Sequence, residues 1–402
     1  PQNNYLKVQI AGTNGKGSTC AFLESICRQA GSETGLTTSP HLISITERVK
    51  INGREISEKD FARQATLIRE TAERLVERGE LETVPTFFEQ VTVIALNAFA
   101  EAKVELAILE TGLGGRFDAT TAARAEIAAI TPIDYDHQKI LGETLAEITA
   151  EKAAIIRENT QRVLAAPQKR AAEQVIKGRC REIDVEPIWA TTDIKIKKYD
   201  EVPFYPIRSV SFKTERGNYP NIVLGLAGDH QTVNASLAIA IAEILRDDYG
   251  FKITDDHFWL GLETARHCGR LEFWQNYLFD GAHNTAGAKV LREYLDEFIK
   301  QPITMIFGAM RDKDLSEIAA LLFPKAETLI LTKPDNPRSM EIAELMSFVP
   351  EGFDKERIIT AETVEEALEI APRHSINGIV CVTGSLYLVG EAQKILKERN
   401  SS

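Results

Sequence analysis

The chain has 402 residues and a mass of 44.7 kDa, more than one hydrophobic core usually organises, so two domains are expected. It is 44% hydrophobic and 26% charged, which excludes a disordered or collagen-like chain, and no run approaches the roughly 18 uninterrupted apolar residues of a membrane span. The net charge of -12 argues against nucleic acid or an anionic membrane as a partner, although a local cationic loop can still hold an anionic substrate. The five cysteines, Cys20, Cys27, Cys180, Cys268 and Cys381, are scattered, odd in number and without CxxC spacing. They read as reduced thiols of a cytoplasmic protein, not as a disulfide frame or a zinc site. Pro1-Gln2-Asn3-Asn4 has no signal-peptide character, and a strand-like run follows at once, so the natural chain is expected to begin earlier.

In chain order, the first strand reads over 6–11. Apolar runs over 106–109, 127–130 and 163–166 read as buried strands, and amphipathic helices fall over 61–75 and 89–100. Strands alternating with helices imply a mostly parallel sheet covered on both faces. Segments 209–213 and 221–224 flank Arg216-Gly217-Asn218, which predicts a hairpin and a small antiparallel sheet. A long helix reads over 229–245. From Leu271 a fresh alternation starts, with strands over 272–279, 303–307, 328–332, 357–360 and 379–383. Its helices read over 286–300, 315–322, 340–348, 364–370 and 386–398. These units make one doubly wound domain. The fold class is therefore α/β with two domains, 1–267 and 268–402, hinged near His267-Cys268-Gly269.

The first strand runs into Gly12-Thr13-Asn14-Gly15-Lys16-Gly17-Ser18-Thr19 and then a helix with Leu23, Ile26, Cys27 and Ala30 on one face. Strand, glycine loop and helix are the context of a phosphate loop. Its glycines let the backbone turn its N–H groups inward, and the helix N-terminus adds partial positive charge. Lys16 reaches β- and γ-phosphates in such a loop, and Ser18 offers a hydroxyl to Mg²⁺. Two departures from the usual pattern stand out. Ile10 occupies the position five before Gly15, and Gly17 separates Lys16 from Ser18. Glu110 ends a buried strand beside this loop, a good place for a metal-holding carboxylate.

The wording of the loop resembles the ATP-dependent Mur ligase superfamily. Within it, the chain is most similar to the folylpolyglutamate synthases, whose bacterial forms often double as dihydrofolate synthases. Further matching motifs follow in order: Thr38-Ser39-Pro40-His41-Leu42, Thr86-Phe87-Phe88-Glu89, Glu110 to Asp118, Asp136-His137-Gln138, Glu151-Lys152-Ala153, Asp280-Gly281-Ala282-His283-Asn284 and Gly384 to Gly390. The resemblance implies a Mur-ligase-like P-loop ATPase domain over 1–267 and a Rossmann-like glutamate ligase domain over 268–402. It implies ATP contacts at Asn14, Gly15, Lys16, Gly17, Ser18, Asn234, Arg270 and Asp280. It also implies two Mg²⁺ sites drawn from Ser18, Ser39, Glu110 and His137, and a monovalent cation such as K⁺. Taken alone, His137 would read as a satisfied core histidine and Lys152 as a solvated helix lysine. The resemblance instead implies that Lys152 carries a carbamate, an anion made from a cation by CO₂.

The same resemblance puts the pterin end of folate against Thr86, Phe87, Phe88, Glu89, Phe117, Asp118 and Ala119. Aromatic rings suit stacking on a flat heterocycle. Thr86 and Glu89 equally spell a helix capping box. His283 and Ser385 are implied contacts to the incoming glutamate, and Arg338 is a looser candidate that reads as well as a surface arginine. The base that frees the glutamate amine is left open between His283 and Asp280. Three departures touch specificity: His267-Cys268 replaces the usual Trp-Pro, Thr285 replaces a proline, and the family's N-terminal pteroyl-binding segment is absent before Pro1.

The implied reaction phosphorylates a folate or dihydropteroate carboxylate with ATP and then joins it to L-glutamate, with Lys16 and the loop amides steadying the transferred phosphoryl group. The expected enzyme is a cytoplasmic monomer acting on small molecules, with no nucleic-acid or membrane partner. Two alternatives stand beside it: another Mur-type amino-acid ligase acting on a muropeptide precursor, and a switch protein that hydrolyses ATP without ligation.

Overall fold

The computed structural model describes residues 1–199, 207–311 and 315–401. The chain divides into two compact units. The first takes in Pro1–Lys198, Arg208–Gly225 and Gln231–Arg266, and the second takes in Leu226–His230 and the chain from His267 onward. The boundary of 1–267 read from sequence puts Leu226–His230 in the first domain, whereas the segment groups with the second unit.

The first unit is built on an eight-stranded sheet. Its strands are β1 (Leu6–Ala11), β2 (Thr34–Thr37), β3 (Lys50–Ile51), β4 (Arg54–Glu55), β5 (Leu106–Glu110), β6 (Ile127–Ile130), β7 (Arg162–Ala165) and β8 (Pro187–Trp189), in the order β4-β3-β2-β5-β1-β6-β7-β8. β1 lies between β5 and β6 and pairs with both in parallel, so that Val8 faces Ile108 on one side and Ile127 on the other. These three strands are buried along nearly their whole length, as continuous apolar runs require. Only the short strand β3 is reversed in this sheet, pairing antiparallel with β2 on one side and with the edge strand β4 on the other.

Eight α-helices accompany it among the described residues: α1 (Lys16–Gln29), α2 (Glu58–Glu77), α3 (Phe87–Ala102), α4 (Gln138–Leu141), α5 (Leu145–Ala153), α6 (Arg170–Glu182), α7 (Gln231–Tyr249) and α8 (Asp255–Thr264). α1 is buried from Gly17 to Cys27 and packs against α7 and α8. A three-stranded sheet, β9 (Ile194–Tyr199), β10 (Ile207–Lys213) and β11 (Asn218–Val223), completes the unit's secondary structure. Its antiparallel β10–β11 hairpin matches the sequence expectation, but its second arm begins at Asn218 instead of 221. β9 was not foreseen, because Ile194 to Tyr199 is rich in lysine and lacks a clear turn signal. Tyr219 and Phe212 anchor this sheet by full burial, and Tyr219 lies 4.6 Å from the Phe258 ring of α8.

The second unit has a six-stranded sheet of β12 (Glu272–Trp274), β13 (Tyr277–Asp280), β14 (Ile303–Phe307), β15 (Thr328–Leu331), β16 (Ile358–Thr360) and β17 (Ile379–Thr383), ordered β12-β13-β17-β14-β15-β16. All neighbours are parallel except β12 and β13. The single strand expected over 272–279 is therefore a hairpin. It turns at Gln275, whose φ of 54° is left-handed, and the polar Gln275-Asn276 pair is the signal. Helices α9 (Thr285–Phe298), α10 (Ser316–Leu322), α11 (Ile342–Ser347), α12 (Val364–His374) and α13 (Leu386–Ser401) accompany this sheet. α12 runs past Pro372, where a helix was expected to have stopped at 370. Pro372 removes the N–H bond to the carbonyl four residues back, and the helix ends two residues later at His374. The core closes with Phe307 edge-on to Phe323 at 4.9 Å. Among the described residues no helix is long and apolar enough to cross a membrane.

Candidate active site

The phosphate loop leaves the buried end of β1. Gly12 adopts a φ of 149°, and a Cβ there would lie 1.9 Å from Thr131 Oγ1. Gly15 caps α1 with a φ of 88°, and a Cβ there would lie 2.1 Å from Asn234 Oδ1. Both positions demand glycine. The second contact brings Asn234, on α7, directly onto the loop. Asn234 is buried and donates to Gln231 Oε1 at 2.9 Å, while Gln231 Nε2 is itself a buried donor without a partner. Lys16 Nζ folds back to donate to Gly12 O at 3.2 Å and Thr13 O at 3.1 Å. Ser18 is buried in the first turn of α1.

A second lysine arrives at the same place. Lys152, on α5, is only 4% exposed and donates from Nζ to Gly12 O at 2.9 Å. Burial first, then the charge of Lys16, lowers its pKa to about 7 against the opposing pull of Asp136. The solvated-helix reading of Lys152 is thus corrected: α5 turns this residue inward, onto the loop. A buried amine with a pKa lowered to about 7 beside a phosphate loop is an unusual resident of a helix.

Glu110 stands at the end of β5, next to β1 in the sheet, and is 7% exposed. Its Oε2 accepts the Ser39 N–H at 3.0 Å, so the two expected ligands meet. Cys20 senses both Glu110 and Lys16: burial and Glu110 raise its thiol pKa, and Lys16 opposes them. His137 opens α4 in a left-handed conformation, with its Nε2 3.8 Å from Asp136 Oδ2. Among the described residues no group of three or more His, Cys, Asp or Glu side chains is arranged to hold a metal. A cation here would have to draw on hydroxyls or a modified lysine as well.

The aromatic segment opens α3. Thr86 caps the helix and Glu89 reciprocates, its Oε2 accepting from Thr86 N and Oγ1 at 2.7 Å each. That capping box holds the Glu89 carboxyl below its usual range. Phe88 lies against Gly112, where a Cβ would be 2.8 Å from the ring. Phe87 is 57% exposed, with the Arg48 guanidinium 5.6 Å from its centroid, and Arg48 Nε donates to His41 Nδ1 at 2.8 Å. Arg48 carried no sequence signal of its own. Asp118 accepts from Gly112 N (2.9 Å) and Leu113 N (3.0 Å) through one oxygen, and from Thr120 N and Oγ1 through the other. It braces the glycine loop and caps the 3₁₀ turn Ala119–Ala123. Phe117, expected beside the pterin, is 91% exposed and lines a cavity together with Arg116 and Arg124.

In the second unit, Asp280 ends β13 and accepts from Leu271 N at 3.0 Å and Ala282 N at 2.9 Å. Burial raises its pKa, and Arg270 opposes the rise. His230 is lowered to about 4 by burial and by Arg270, so it is neutral, and its Nδ1 is a buried atom without a hydrogen-bond partner. His283 Nδ1 sits 2.7 Å from Gly281 O. Ser385 is 1% exposed and accepts from Tyr387 N and Leu388 N, capping α13. Arg338 Nη2 donates to Tyr387 Oη at 3.0 Å and its guanidinium lies 5.7 Å from that ring, so Arg338 and Ser385 share a neighbourhood through Tyr387.

Two family models match the chain: the Mur ligase middle domain over residues 10–242, and the Mur ligase, glutamate ligase domain over residues 269–386. The chain belongs to the Mur ligase family. Within the family, this Mur ligase groups with proteins named dihydrofolate synthase/folylpolyglutamate synthase. The Bacillus subtilis protein of that name is 35% identical over 99% of this chain and 92% of its own length. The Mycobacterium tuberculosis one is 30% identical over 98% of this chain and 87% of its own. Crystal structures of M. tuberculosis folylpolyglutamate synthase complexed with ADP and AMPPCP superpose with a TM-score of 0.89, at 29% identity over 98% of this chain and 92% of theirs. E. coli FolC in complex with DHPP and ADP gives 0.83, at 26% identity over 98% and 89%. The α/β class with a parallel sheet and small antiparallel sheet expected from the Mur ligase resemblance agrees with these matches.

Proposed function

We propose that the protein is an ATP-dependent ligase that joins L-glutamate to folate, giving folylpolyglutamate, ADP and phosphate, and that it also converts dihydropteroate to dihydrofolate. The observation that carries this reading is the convergence of Lys16 and Lys152 on one carbonyl of the phosphate loop. It is supported by matches that run the length of the chain to relatives bearing both activities in their names.

The substrate carboxylate is a poor acyl donor, because oxide is a poor leaving group. In the first step a carboxylate oxygen bonds to the γ-phosphorus of ATP and ADP departs. Lys16 and the loop amides at the start of α1 steady the negative charge on the transferred group. In the second step the neutral glutamate amine bonds to the acyl carbon, the C–O bond to phosphate breaks, and the amine proton passes to a base, His283 or Asp280. Asn234 against Gly15 is assigned to the adenine, and Arg270 and Asp280 to phosphate and ribose. Phe87 and Phe88 offer rings to the pterin, with Thr86, Glu89 and Ala119 at its edge and Asp118 bracing the loop behind. Phe117 is 91% exposed and free to stack on a ligand. Ser385, His283 and Arg338 are assigned to the incoming glutamate.

Ser18, Ser39, Glu110 and His137 would hold two Mg²⁺ ions, which when bound neutralise phosphate charge, and a K⁺ is a further expected ion. The Ser39–Glu110 contact at the end of β5 fits such a hard cation. Lys152 is assigned a carbamate: its neutral amine bonds to the carbon of CO₂ and releases a proton, yielding a second anion beside Glu110 in the donor set. The free thiols fit a reducing compartment such as the cytoplasm, and we assign the protein there as a monomer acting on small molecules.

The test is ADP formation with dihydropteroate and with tetrahydrofolate, each with and without L-glutamate. ADP release requiring both a pteroyl substrate and glutamate is expected. Release without glutamate would point to a hydrolysing switch, and release only with a muropeptide precursor would point to another Mur-type ligase.

A further inference from the structure

Gln9 is a polar residue in the middle of β1, the strand that feeds the phosphate loop. It lies level with Leu109 of β5 and Ala128 of β6 and is 1% exposed. An apolar side chain there would serve the sheet, since a buried amide costs stability unless its hydrogen bonds are made. Gln9 makes them all toward the segment that follows β5. Its Nε2 donates to Thr120 Oγ1 at 2.9 Å and to Thr121 Oγ1 at 2.8 Å, with Thr111 Oγ1 further off at 3.2 Å. All three threonines are buried.

The hydroxyl protons give this cluster a direction. A threonine hydroxyl has a single proton to donate. Thr120 gives its proton to Asp118 Oδ1, and Thr121 gives its proton to the Gly115 carbonyl at 2.8 Å. Each hydroxyl therefore accepts from Gln9, and the two together take both amide protons. Asp118 passes the constraint on. Its Oδ1 also accepts from Thr120 N, and its Oδ2 holds the N–H groups of Gly112 and Leu113. These hydrogen bonds fill the roughly four acceptor sites of a carboxylate. Gly112 in turn is wedged between Asp118 and Phe88: a Cβ there would lie 3.2 Å from Asp118 Oδ2 and 2.8 Å from the ring.

We propose that Gln9 is a positioning residue for the pteroyl substrate. Acting through Thr120 and Asp118, with Thr121 holding Gly115, it fixes the glycine loop against Phe88 and so sets the affinity for that substrate from beneath the site. The inference rests on the ligase reading above, which puts Phe88 and this loop at the pterin. Gln9 also stands three residues before Gly12 on the same strand. The strand that aims the phosphate loop thus carries the residue that aims the substrate loop, and the reaction needs both in register to bring a carboxylate oxygen to phosphorus. A fully satisfied buried network of this kind holds one arrangement of the loop over others.

Steady-state ADP formation by the full chain tests the role, with L-glutamate present and with tetrahydrofolate or dihydropteroate, whichever the wild type uses. Gln9→Leu removes the donors at similar size. It is expected to raise the KM for the pteroyl substrate about tenfold and to leave the KM for ATP within about twofold. Thr120→Val keeps the shape and removes the relay, so the same split is expected, and this variant carries the test if Gln9→Leu does not fold. Gln9→Leu combined with Thr120→Val is expected to raise the pteroyl KM no further than the larger single change, because both break one path. An unchanged pteroyl KM in either folded single variant, an equal rise in the KM for ATP, or effects that multiply in the double variant would each overturn the role. A wild type that uses no pteroyl substrate fails the ligase reading instead. A wild type that ligates glutamate with a pteroyl KM indifferent to Gln9 loses only this inference.

Discussion

The two units use the same architecture in opposite ways. Each is a mostly parallel sheet whose strands run into glycine-containing loops. In the first, charged side chains are turned inward with little to satisfy them but the loop itself: Lys16 and Lys152 both donate to Gly12 O, and burial has made Lys152 a weak base. In the second, the polar side chains at the strand ends are already engaged with their own backbone. Asp280 holds Leu271 and Ala282, and Ser385 holds the first turn of α13. The difference teaches which residues report on chemistry and which on architecture. Removing a lysine from the loop should cost activity with little loss of fold, whereas removing Asp280 should cost fold as well as its proposed role toward the ligands.

The largest effect should follow Lys16→Ala. Loss of about 3–4 kcal/mol of transition-state stabilisation is expected, a fall of roughly 10²–10³-fold in kcat, with the thermal midpoint nearly unchanged. An active Lys16→Ala variant would erase the contrast between the units. Asp280→Ala should then lower stability by about 1–3 kcal/mol, since two buried N–H groups lose their acceptor, read as a drop in denaturation midpoint. If Asp280→Ala is inactive but fully stable, its backbone bonds carry no stability and the contrast between the units fails.

Lys152 sharpens the comparison through pH. Its folded pKa of about 7 lies below the ordinary 10.5, so the unfolded chain binds more protons between those values. The unmodified fold should gain stability as pH rises through that window, and Lys152→Met should flatten the gain in a denaturation series. At fixed CO₂ pressure the modified fraction should also climb as pH rises through about 7, read as a mass increment of one CO₂ on the intact protein. A Lys152 that stays unmodified in CO₂-replete buffer would remove the carbamate. The smallest effect belongs to Thr86→Ala. Losing the α3 cap should cost about 1 kcal/mol of stability, and any larger loss in pteroyl affinity would mark Thr86 as a substrate contact as well.

The sequence by itself determined the alternation of strands and helices, the phosphate loop and the order of the motifs. These features are local: a period of two or 3.6, a glycine that must turn, a strand that must be apolar on both faces. Most element ends fell within a few residues, and the hairpin at Gln275-Asn276 was missed because flanking apolar residues mask a two-residue turn. Only the tertiary structure decided which face of α5 is buried, and hence that Lys152 meets Gly12 across 140 positions. It also joined Ser39 to Glu110, set Asn234 against Gly15, turned Asp118 into a brace and left Phe117 beside four arginines. Such pairings depend on how helices pack on a sheet, a matter of non-local contact and desolvation that no short window of residues contains.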